Sequence, residues 1–112
     1  MAEQLANLEK RELKIYSTST EHICGVWIDG KPIYRKAYDL GSNLSLPSNT
    51  WKATSISKSG MAFLVDCHAY SAEGTYLAVY GALDVDNNYV SILNSRSNST
   101  NARYVVLEYT KS

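Results

Sequence analysis

Two histidines and two cysteines fall in two short pairs, His22-Ile23-Cys24 and Cys67-His68, and three aspartates, Asp66, Asp84 and Asp86, accompany them. A zinc site, a thiol nucleophile or a carboxylate acid–base pair is built from such side chains. On an extended strand His22 and Cys24 share a face, whereas the adjacent Cys67 and His68 point to opposite faces. A four-ligand zinc site therefore fails unless a bulge reverses one of them. A nucleophile pair made of Cys67 with His22, or of Cys24 with His68, has no nucleophile elbow or oxyanion motif beside it. Both cysteines sit in apolar text and read as small buried hydrophobes. The other arrangement is a Cys24–Cys67 bridge.

Asp84 and Asp86 share a strand face but border "DNN", Asp86 to Asn88, where Asp and Asn are what a turn uses. Turn chemistry accounts for them without the calcium that Asp84, Asp86, Asn87 and Asn88 together could bind. Lys31, Arg35 and Lys36 interleave with Tyr34 and Tyr38 like a small single-strand nucleic-acid platform. Yet eleven basic residues are balanced by eleven acidic ones, which removes the long-range field that draws a protein to phosphate backbones or anionic lipid. Glycine-rich phosphate loops are absent. The expectation is a non-enzymatic protein with no catalytic residue, no metal ligand, no cofactor and no nucleic-acid partner.

Any working side chains must be placed by a single core, since 112 residues make one domain. No run of about 18 apolar residues exists to span a bilayer. The N-terminus, "MAEQLANLEKRELK", lacks the apolar stretch of a secretory signal, so synthesis and folding in a cytoplasm are expected. Residues 2–14 are strong helix formers. Leu5, Leu8 and Ile15 have stem-like spacing, although Glu12 interrupts it and two heptads are short for a lone coiled coil. Residues 1–15 thus read as a solvated helix or frayed tail, or as a short helical stem, ahead of a head domain over 16–112.

Beyond Tyr16 the chain reads as strands: His22–Ile28, Pro32–Tyr38, Thr50–Ile56, Met61–Tyr70, Thr75–Val85, Tyr89–Leu93 and Ala102–Lys111. Gly41 to Asn49 reads as a loop, and Asp29-Gly30 as a two-residue type I′ hairpin turn. Pro32 is tolerated at a strand start. About seven strands with turns every 8–13 residues predict an all-β, antiparallel β-sandwich, jelly-roll-like, behind a short N-terminal helix.

The stretch "YSTSTEHICGVWIDGKPIYRK", Tyr16 to Lys36, resembles a segment of tailed-bacteriophage structural proteins. That segment reads Tyr-Ser-Thr-Asp/Glu-Glu-x-x-x-Gly-x-Trp-x-Asp-Gly-Lys-Pro, an apolar residue, then Tyr. Gly25, Trp27, Asp29, Gly30, Lys31, Pro32 and Tyr34 fall in place, and the closing "VVLEYTK", Val105 to Lys111, is similar to the family's C-terminal strand. His22 and Cys24 depart from the pattern, which commonly has apolar residues there. Residues 40–100 match no family pattern.

The resemblance implies the head domain of a tail fibre or receptor-binding protein, homotrimeric, joined to other virion proteins by an N-terminal stem and released by lysis. The alternative is a capsid-decorating head-fibre protein with a structural role only. The hairpin Gly25, Trp27, Asp29, Gly30, Pro32 and Tyr34 is then architecture, with Trp27 and Tyr34 as packing partners within the core or between protomers. Binding residues favour loops on a rigid scaffold. Ligand contacts, to a host cell-surface glycan or protein, are therefore expected from Trp51, from Asn87, Asn88 and Tyr89, and from Arg96 and Asn98. A cell-wall hydrolase using Asp66 and Asp84 is the enzymatic rival, and a redox or metal module built on Cys67 another.

Overall fold

A computed structural model describes residues 16–112; the expected helix over 1–15 lies outside the described residues. Eight strands follow in order: β1 (His22–Val26), β2 (Pro32–Leu46), β3 (Trp51–Ser57), β4 (Met61–Tyr70), β5 (Tyr76–Leu77), β6 (Val79–Leu83), β7 (Tyr89–Asn94) and β8 (Thr100–Lys111). All pairings are antiparallel. They build a curled five-stranded sheet, β1-β2-β8-β4-β5, and a three-stranded sheet, β3-β7-β6, in a sandwich-like all-β fold.

The core follows from alternation. On β8 the inward side chains Val105, Leu107 and Tyr109 are at most 3% exposed. They meet Ile92 and Val90 of β7, Ile56 of β3 and Cys67 and Ala69 of β4 in one cluster. The two sheets approach closely at Gly81 on β6, where an added Cβ would lie 2.6 Å from the Cys67 Cβ. A side chain there would force the sheets apart. Cys67 and His68 point to opposite faces, as adjacency on a strand requires. Both cysteines are free. Burial, with the Asp66 carboxylate as a lesser cause, pushes the Cys67 thiol up to about 12. Cys67 is therefore expected to resist alkylation by iodoacetamide near pH 8 until denaturant is added. Alkylation at the same rate in native and unfolded protein would contradict that packing.

Four sequence expectations are corrected. Gly41–Leu46 is not loop, because β2 runs on to Leu46, whose side chain is fully buried, and Leu44 packs beside the core. A wide irregularity between Asp39 and Leu44, turning at Gly41 with φ 79°, disguises this strand in the sequence. Thr75–Val85 is not one strand either: β5 pairs with β4 in the larger sheet and β6 with β7 in the smaller, so the chain changes sheet at Ala78.

The β1–β2 hairpin is present, but its turn is not type I′. Gly30 has φ 86°, and Asp29 is not among the positive-φ residues. Trp27 O accepts from Gly30 N at 2.9 Å, Trp27 N donates to Lys31 O at 2.8 Å, and Asp29 Oδ1 accepts from Lys31 N at 3.0 Å. That is a three-residue loop, a type I turn followed by a left-handed glycine. The Asp29 carboxylate caps the turn from an ordinary backbone conformation, so only Gly30 must be left-handed. Finally, Trp27 and Tyr34 are not partners within one chain. Trp27 meets Phe63 at 6.1 Å on one face of the sheet, whereas Tyr34 stacks on Tyr109 at 6.3 Å on the other.

Candidate functional site

The outward face of the three-stranded sheet is set by register. Trp51, Leu93 and Tyr80 lie opposite one another across β3, β7 and β6, and Ala53, Ser91 and Ala82 form the next row. Trp51 is 49% exposed and Tyr80 63%. Two rings thus stand on one face, two strand spacings or roughly 10 Å apart, beside a floor of small residues. A cleft of about 390 Å³ opens at this floor, lined by Trp51, Ala82, Asp84, Val85, Asp86 and Ser91.

Asp84 is the fixed polar group of the cleft. Its Oδ1 accepts from Asp86 N at 2.8 Å, and its Oδ2 from Ser91 Oγ at 2.8 Å and Asn87 Nδ2 at 3.0 Å. The backbone N–H of Asp86, then Ser91 and Asn87, hold its carboxyl below the usual carboxylate range. With three donors on four acceptor positions, one lone-pair direction stays free for a ligand hydroxyl or amine. Lys58 Nζ donates to the Asp84 carbonyl oxygen and ties the turn to the end of β3. The local arrangement is an open, shallow cleft lined by both a planar aromatic ring and a fixed, ionised carboxylate. It suits a ligand with an apolar face and directional hydroxyl groups.

The six expected ligand residues divide between two ends of β7. Trp51 lines the cleft; Asn87 stands behind it, donating to Asp84 and accepting from Tyr89 N at 2.8 Å. Asn88 turns away to a second cleft with Lys58 and Met61, and its carbonyl accepts from Lys58 N at 3.0 Å. Tyr89, 44% exposed, sits across from Ser57. Arg96 and Asn98 lie at the opposite end of β7, exposed in the 95–99 loop.

That loop is organised by a residue sequence reasoning missed. Asn94 is fully buried. Its Nδ2 donates to Leu46 O at 3.0 Å and Asn98 O at 2.9 Å, and its Oδ1 accepts from Arg96 N at 3.0 Å. Ser48 Oγ adds a bond to Arg96 O at 2.6 Å, and Asn49 N one to Asn94 O at 2.9 Å. The 47–50 turn that delivers Trp51 and the loop of Arg96 and Asn98 are therefore one hydrogen-bonded unit. An asparagine closing an apolar strand, "YVSILN", was the available signal. Tyr80 and Ser91 were also missed, because only the register places them beside Trp51.

The groups considered for other chemistry do not converge. Asp66 lines a different cleft, with Val79 and Tyr80, from the one that holds Asp84. His68 Nε2 lies 3.4 Å from Asp66 Oδ2. Cys24 Sγ is 3.5 Å from Glu108 Oε1, and burial followed by the Glu108 charge pushes its thiol up, away from thiolate character. No group of three or more metal-ligating side chains occurs among the described residues. No family model, curated protein or solved structure matches this chain.

Proposed function

We propose that the chain is the head domain of a phage tail fibre or receptor-binding protein. It is a non-enzymatic, homotrimeric, jelly-roll-like virion module that adheres to a host cell-surface glycan. The observation that carries the adhesive reading is one cleft lined by the half-exposed Trp51, the fixed Asp84 carboxylate and Ser91. Sugar rings have an apolar face that stacks on an aromatic platform and equatorial hydroxyls that a carboxylate accepts from. The phage assignment rests on the Gly25–Tyr34 motif and the closing Val105–Lys111 strand.

The test is retention on a panel of immobilised bacterial cell-wall glycans, compared with intact virions' capsids as a surface. Wild type is expected to bind at least one glycan. Trp51→Ala is expected to weaken that binding by at least about tenfold, which is ~1.4 kcal/mol. Its fold should be retained, because Trp51 starts an edge strand and is half in solvent. Binding to capsid and to no glycan would replace the adhesive reading by the decorating one.

A further inference from the structure

The two faces of the five-stranded sheet differ in what covers them. The three-stranded sheet packs on one. Nothing in the described chain covers the other, yet its centre is buried: Arg35 is 8%, Val106 6% and Thr110 0% exposed. On this face Trp27 reaches Phe63, and the Tyr16 ring lies 5.3 Å from the Arg35 guanidinium. β-Bulges in β1 and β4 increase the local twist and help curl the sheet. Around this buried centre stand exposed rings: Tyr16 at 53%, Phe63 at 55%, Tyr76 at 54% and Tyr104 at 39%.

We propose that this face is the surface through which copies of the chain assemble. The proposal rests on the homotrimer reading above and assigns it a place. The occupant is a second copy for two reasons. First, residues 1–15, with the stem-like Leu5, Leu8 and Ile15, join the domain at Tyr16, whose ring lies on this face. In the homotrimer proposed above that segment is the stem, and this face lies at its point of attachment. Second, the arginines of this face are paired within it, Arg35 with Glu108 at 3.0 Å and Arg103 with Asp39 at 2.6 Å. Such a surface meets its own copy without like-charge repulsion, and its arginines are already engaged by carboxylates rather than free for a phosphate. Exposed aromatics around a buried centre also match the composition of protomer interfaces.

The competing surface is the opposite side of the β1–β2 hairpin, where Ile23, Val26 and Ile28 are 65%, 70% and 91% exposed. The experiment is solution mass by light scattering on the full chain and on Phe63→Glu, Tyr76→Glu and Val26→Glu, with circular dichroism for the fold. Wild type is expected at three times the 12.5 kDa chain. Phe63→Glu and Tyr76→Glu are expected at the mass of one chain with β-structure retained, and Val26→Glu at the trimer mass. Tyr76, on a two-residue edge strand, reads the same face if Phe63→Glu fails to fold. A wild-type monomer would overturn the trimer reading and this face together. A wild-type trimer that Tyr76→Glu leaves intact, or that Val26→Glu dissociates, would overturn this face alone.

Discussion

Asn94→Leu is expected to lower the unfolding free energy by about 2–4 kcal/mol, read as a fall in the urea midpoint at constant slope. Leucine keeps the Cγ-branched outline and is larger, so no cavity opens and crowding adds to the loss. It leaves the Leu46 carbonyl and the Arg96 N–H without the partners Asn94 supplies, beside a side chain that is fully buried. Each buried group stripped of its bond costs about 1–3 kcal/mol. The loss also uncouples the 95–99 loop from the 47–50 turn, so binding through Trp51 should weaken with stability. Asn98→Ala is the control, because Asn98 contributes its backbone carbonyl to Asn94 and its side chain is exposed. That variant should stay within about 0.5 kcal/mol of wild type. Equal effects of the two substitutions would contradict the assigned role of the Asn94 amide.

Arg35→Met is the second large effect. The guanidinium donates through Nε and Nη2 to Glu108 Oε2 at 3.2 and 3.0 Å, with side-chain exposures of 9% and 22%. Methionine keeps the apolar stem but leaves the Glu108 carboxylate with only the weak Cys24 thiol donor at 3.5 Å. Removing one member of a buried pair costs about 3–5 kcal/mol, and the partial exposure of Glu108 reduces this to about 2–3 kcal/mol. The double variant Arg35→Met/Glu108→Leu is expected to recover most of the loss, since no charge is then stranded. A double variant no better than the single one would show that packing of the guanidinium, rather than its charge, carries the effect.

What the sequence revealed follows from which interactions are local. Strand positions on β3, β4, β7 and β8 were legible because apolar alternation is written within each strand. The hairpin was legible from Asp29-Gly30, although its turn type was not. The same dipeptide serves a two-residue or a three-residue loop, and the backbone pairing of Trp27 with Lys31 decides between them. The continuation of β2 past Gly41 was hidden because its bulge carries loop-like residues, while the evidence for a strand lies on its partner β8. The site was legible only in part. Trp51 is conspicuous by type, but its neighbours Ala82, Asp84 and Ser91 lie 31 to 40 positions away and reach it through pairing register. Register is a tertiary fact, fixed by matching hydrophobic faces across strands.

The central claim, that the Trp51 cleft holds a glycan, is tested most directly by the two tryptophan indole N–H signals in a ¹H–¹⁵N spectrum. Soluble bacterial cell-wall glycans are added one at a time. Trp51 lines the open cleft, whereas Trp27 packs against Phe63 on the other sheet. At least one glycan is expected to shift the Trp51 indole, with the Asp84 and Ser91 amides, and to leave the Trp27 indole in place. A panel that moves neither indole, or that moves Trp27 alone, would contradict that claim.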